Sequence, residues 1–133
     1  MKAPAVTCLI LAGLAAANVR AEDLVVIVNP AAAPISKEQI ADIYLGRSGA
    51  LTPIDQTVGS GIYVEFYNKM TGRSSAQVKA IWSRILFTGR GLPPKQMSDS
   101  TAMKKAVAAN PKAVGYIEKS ALDASVKVAL ALD

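Results

Sequence analysis

Leu24 to Val28 reads Leu-Val-Val-Ile-Val, five apolar residues in succession, and this run narrows the folds open to the chain. A strand with one wet face alternates apolar and polar residues, whereas a continuous branched run of this length belongs to a buried strand of a parallel or mixed sheet. Asn29-Pro30 ends it. Leu51 to Asp55 is a weaker second strand, Val114 to Ile117 a third, and Val126 to Leu130 a fourth with alternating character. Helical patterns separate these runs, and strands that alternate with helices predict an α/β layer structure.

The helices carry their own punctuation. Ser36 and Gln39 have capping-box spacing, Ile35 and Ile40 stand where a hydrophobic staple would sit, and Ile40, Ile43 and Tyr44 form a buried stripe that Gly46 terminates. A second helix from Ile62 to about Met70 lines up Ile62, Tyr63, Phe66, Tyr67 and Met70, pairs Glu65 with Lys69 four residues on, and stops at Gly72. Ser74 or Ser75 caps a third, with Val78, Ile81, Trp82, Ile85 and Leu86 as its apolar stripe and Gly89 as its stop. Leu92-Pro93-Pro94 is extended. Ser98 or Ser100 opens a fourth helix, which runs to about Ala109 and buries Met103, Ala106 and Val107, and Ser120 to Ala124 is a turn or short helix.

One turn stands out for chemistry. Thr57-Val58-Gly59-Ser60-Gly61 leads from the second strand into the second helix. Glycines on both sides of a serine permit a tight bend that directs successive amides at one spot, and the helix behind adds a partial positive charge. This is a way to hold an anion. The same turn has a purely structural reading, with Ser60 capping the helix through its hydroxyl. Thr88-Gly89-Arg90-Gly91 is a second glycine-rich turn, and its arginine either contacts an anion or follows a helix C-cap into water.

Composition removes several other functions. The chain contains no histidine, which excludes Ser-His-Asp and Cys-His catalysis, and its one cysteine, Cys8, falls in the leader described next. Asp42, Asp55, Glu65 and Asp99 lack the paired spacing of two-carboxylate chemistry, so no enzyme, no catalytic residue, no metal site and no cofactor is expected. Residues 1–21 read as a secretory signal peptide: Lys2 precedes an apolar stretch from Ala5 to Ala17, and cleavage follows Ala21 or, alternatively, Ala17. Residues 22–133 then form one domain of 112 residues carrying thirteen basic and ten acidic side chains, a net charge of +3. That excess is spread without a basic cluster, which argues against nucleic acid as partner, while a mild positive field favours a small anion. No transmembrane segment is expected in the mature chain, and the leader implies a periplasmic or secreted location.

Three motifs together carry a family resemblance. Asp42-Ile43-Tyr44-Leu45-Gly46, then Asp55 through Gly59-Ser60-Gly61 and Phe66, then Asn110-Pro111-Lys112-Ala113-Val114-Gly115-Tyr116-Ile117 resemble, in this order, the second lobe of the periplasmic phosphate-binding proteins of ABC transporters. The segments Ser75 to Val78 and Phe87 to Pro94 are similar to short, single-domain members of that superfamily. The resemblance implies a single-lobe periplasmic-binding-protein-like (type 2) α/β domain, with a mixed sheet flanked by helices. It also implies a phosphate-like anion as ligand and a membrane transporter or another periplasmic protein as partner. Carried over position by position, the family's anion loop falls on Gly59, Ser60 and Gly61. Its arginine falls on Gln56, its aspartate on Val58 and its threonine on Ile62.

The site expected from these readings comprises Gln56, Gly59, Ser60, Gly61 and Ile62, with Arg90, Arg47 or Arg73 as the replacement cation. The alternative is a protein-interaction module that keeps the fold and has lost the anion, because an amide and two apolar side chains stand at Gln56, Val58 and Ile62.

Overall fold

All five side chains of the Leu24–Val28 strand, β1, are buried, and alternate ones enter two separate cores. Leu24, Val26 and Val28 pack with Ile40, Tyr44, Phe66 and Tyr67 on one face of the sheet, while Val25 and Ile27 meet Met103, Val107 and Ile117 on the other. A strand covered twice has no use for a polar face, which accounts for the unbroken apolar run.

The computed structural model describes residues 23–132. The signal peptide expected over residues 1–21, including Cys8, lies outside them. After β1 come α1 (Lys37–Tyr44), β2 (Thr52–Gln56), α2 (Gly61–Thr71), α3 (Ser75–Phe87), β3 (Lys95–Met97), α4 (Ser100–Ala108), β4 (Ala113–Glu118), a 3-10 turn over Lys119–Ala121, and β5 (Lys127–Leu132). The strands form one mixed sheet in the order β3-β2-β4-β1-β5. β1 lies antiparallel to both β4 and β5, whereas β2 runs parallel to β3 and β4. The expected α/β class and mixed sheet flanked by helices are what the chain adopts. Among the described residues no helix is long and apolar enough to cross a membrane.

Local signals set most boundaries. Ser36 and Gln39 form the expected capping box on α1, and Gly46 follows the helix with φ +76°. Ser74 and Gln77 form a second box on α3. Glu65 and Lys69 pair at 3.0 Å. Asn29, at the end of β1, donates from Nδ2 to the carbonyls of Val107 and Ala108, so that the strand end also satisfies the last turn of α4.

Three expectations are corrected. The stretch before the fourth helix contains β3, a short edge strand whose three residues, Lys-Gln-Met, carry no strand pattern. The cap of α4 is Asp99, which accepts from the Ala102 amide at 2.8 Å, and not Ser98 or Ser100. Leu86 is 50% exposed, so the stripe of α3 is buried only in part, and α3 packs chiefly against α2.

The join between β2 and β4 is unusual. Their register runs only from Thr52 opposite Ala113 to Pro53 opposite Val114, and Pro53 has no amide to donate. Beyond it, side chains replace the ladder. Tyr44 Oη donates to the carbonyls of Ile54 and Val114 at 2.9 and 3.0 Å, Gln56 Nε2 donates to the Tyr116 carbonyl at 3.0 Å, and the Gln56 amide donates to Tyr116 Oη at 3.1 Å.

Candidate functional site

The end of β2 delivers the chain into the 57–61 turn. Gly59 takes φ +87°, a left-handed value that a side chain would resist, and Ser60 is extended and serves as N-cap of α2. The Ser60 amide closes the turn on the Thr57 carbonyl at 3.0 Å, and the Ser60 hydroxyl donates to the same carbonyl at 2.6 Å. The Tyr63 amide reaches Ser60 Oγ at 3.4 Å, a long contact for a cap. From β3, Gln96 Oε1 accepts the Val58 amide at 2.9 Å and holds the near side of the turn to the sheet edge.

This leaves the amides of Gly61 and Ile62, which have no acceptor among the described residues. They are two of the donors that the start of any helix leaves without an intrahelical partner. A Cβ built on Gly59 or Gly61 would meet nothing within 4 Å, so space lies open over the turn. The first turn of α2 carries no acidic residue. An anion seated there would meet two amides and the positive end of the helix without a competing carboxylate on that turn.

The remaining predicted residues are placed differently. Gln56 is 3% exposed, and its Nε2 is held by the Tyr116 carbonyl and by Ser100 Oγ, each at 3.0 Å, while the Ser100 hydroxyl in turn donates to the Glu118 carboxylate. Its amide donor is thus engaged between β4 and the start of α4. Arg90 lines a cleft with Gly46, Arg47 and Thr52, at the opposite end of β2 from the turn. Arg47 belongs to that same cleft and lies 3.6 Å from Asp42. Arg73 follows α2, whose eleven residues put roughly 15 Å of helix between it and the turn. The structure therefore brings together Gly59, Ser60, Gly61 and Ile62, and gathers none of the three arginines with them.

Behind the turn lies a group most of whose residues stand in the motifs but are given no role there. Asp55 is 3% exposed; Tyr67 Oη donates to its two carboxylate oxygens at 3.0 Å each, and Tyr116 Oη donates to Oδ1 at 3.1 Å. Burial pushes the carboxyl up to about 7, against the lowering effect of the two tyrosine hydrogen bonds. Burial and the Asp55 charge raise Tyr67 and Tyr116 far above the ordinary phenol value, which keeps both as donors. The rings sit in a cluster in which Phe66 stacks on Tyr116 with centroids 3.7 Å apart, while Tyr44 meets Phe66, Tyr67 and Tyr116 edge-on. Tyr44, Asp55, Phe66 and Tyr116 all stand in the three motifs of the resemblance and Tyr67 on a stripe assigned to the core, but nothing in the sequence shows that they meet.

No family model matches the chain, and no curated protein does. Solved structures do. An ABC-type phosphate transport receptor from Vibrio cholerae superimposes with TM-score 0.60 at 22% identity, over 80% of this chain and 45% of the receptor. A protein described as a phosphate ABC transporter substrate-binding protein, from Clostridium perfringens with bound phosphate, gives TM-score 0.61 at 22% identity, over 80% and 44%. In fold, this chain matches phosphate-transport receptors. PstS from Borrelia burgdorferi matches likewise, with TM-score 0.55 at 15% identity over 80% of the chain and 46% of that protein. The chain spans less than half the length of the receptors it matches, and at these identities the likeness is one of fold.

Proposed function

We propose that this chain is an extracytoplasmic solute-binding domain that receives phosphate or a related oxyanion at the 57–61 turn, as a component of phosphate transport. The observation that carries the reading is the pair of unengaged amides, Gly61 and Ile62, at the open N-terminus of α2. The fold likeness to a protein solved with phosphate bound supports it. Ser60 contributes as a third donor once its hydroxyl turns away from the Thr57 carbonyl. None of Arg47, Arg73 and Arg90 joins them, so the affinity is that of main-chain donors and a helix terminus, modest and lowered by salt. Isothermal titration with phosphate, sulfate and a neutral sugar tests the proposal: heat from the oxyanions alone supports it, and silence from all three at millimolar concentration removes it.

A second reading keeps the fold as a protein-interaction module without the anion. It is favoured by Gln56, whose side-chain amide is locked inside the protein, and by Val58, apolar and 40% exposed beside the turn. A stable complex that survives Ser60→Ala, with no anion binding, would select it.

A further inference from the structure

At the far end of β2 from the turn, the C-terminal ends of α1 and α3 and the loop after Gly89 enclose a cleft of about 760 Å³. Its floor is apolar, from Ile43, Trp82, Ile85 and Leu92, and an adjoining recess is lined by Arg47, Arg84 and Arg90. Neither hollow is lined by an aspartate or glutamate. Asp42, on the rim, pairs with Arg47, but among the described residues Arg84 and Arg90 form no ion pair. Leu92 of the cleft lining is 77% exposed, and at the end of α3 Phe87 is 92% and Leu86 50% exposed, the three most exposed large apolar side chains among the described residues. An apolar strip of this kind next to unpaired arginines is a composition that marks protein interfaces.

We propose that this cleft docks an acidic segment of a partner protein that carries an apolar anchor side chain. The anchor would cover the Trp82 and Leu92 floor, and carboxylates beside it would meet Arg84 and Arg90, whose planar guanidinium groups favour paired contact with carboxylates. Charge complementarity decides for an acidic partner. Leu86 and Phe87 follow the lining residue Ile85 and lie exposed at the end of α3, so apolar surface extends beyond the hollow itself, which decides for a polypeptide. The site is independent of the phosphate reading, because neither hollow is lined by any residue of the 57–62 stretch.

The test is fluorescence anisotropy on the mature chain. The probe is a short fluorescein-labelled peptide of Asp, Glu, Leu and Phe, with a counterpart in which Lys replaces the acids. The acidic peptide should bind and weaken with salt, the lysine peptide should not bind, and R84E/R90E and F87S/L92S should each reduce binding at least about tenfold while leaving thermal melting and phosphate titration unchanged. Equal binding of the two peptides, or an undiminished signal with R84E/R90E, would overturn the proposal. So would capture of octanoate in place of the peptide, or self-association in sedimentation that both variants abolish, since each names a different occupant.

Discussion

Tyr67 Oη stands 3.0 Å from each carboxylate oxygen of Asp55, a contact that tempers the rise in pKa which burial imposes on this carboxyl, and burial sets the pH response of the group. The folded protein holds the Asp55 proton up to about pH 7, against 3.8 for an ordinary aspartate. Between those values the native state binds a proton that the unfolded chain has lost, so stability is greatest below about pH 4 and declines as pH rises to about 7. Three units correspond to an upper limit on the order of 4 kcal/mol. Urea unfolding from pH 4 to 8 should show this fall, and Asp55→Asn should flatten it and leave the variant more stable than the parent at pH 8. A stability that rises across that range in the parent and not in the variant would refute the account.

Tyr44→Phe should destabilise the protein by about 1–3 kcal/mol, because it strands the carbonyls of Ile54 and Val114 in the core without their shared donor. Equilibrium unfolding in urea measures it. A change under about half a kcal/mol would mean that water or backbone movement replaces the hydroxyl.

Gly115 faces α4 so closely that an added methyl would collide with Met103 and come within 3.1 Å of Val107. Gly115→Ala should therefore cost about 1–3 kcal/mol through overpacking. Met103→Ala in the same chain should recover part of the loss, and a double-variant cycle would read the coupling.

Gly61→Pro isolates the main-chain contribution to anion binding. Position 61 is the first residue of α2, where proline fits, Ser60 before it is already extended, and the space around Gly61 is open. The variant should fold as the parent does and lose one of the two unengaged donors, weakening phosphate binding roughly fivefold to tenfold. Ser60→Ala should instead lower stability by about 1 kcal/mol through loss of the cap. Unchanged phosphate affinity in Gly61→Pro would move the anion elsewhere.

The layers of the fold were legible because its signals are local. The Leu24–Val28 run, the Ser36 box and the glycines after α1, α2 and α3 each act within one or two turns of chain. Ser60 as cap and Gly59 as bend were legible for the same reason. β3 was not, since two polar residues and a methionine pair with β2 through an edge that only the assembled sheet provides. Arg90 was expected near the turn because sequence gives no direction to a side chain after a helix stop; α3 carries it to the other end of β2. The Asp55 cluster depends on Tyr116, sixty-one residues away, and no periodicity reports such a meeting.

Pro53 has a consequence for how the molecule parts. Because the ladder between β2 and β4 stops there, the unit formed by β3 and β2 is fastened to β4, β1 and β5 largely by phenol and carboxamide groups. Under tension the molecule should tear first along this line, with the 57–61 turn carried on the smaller fragment.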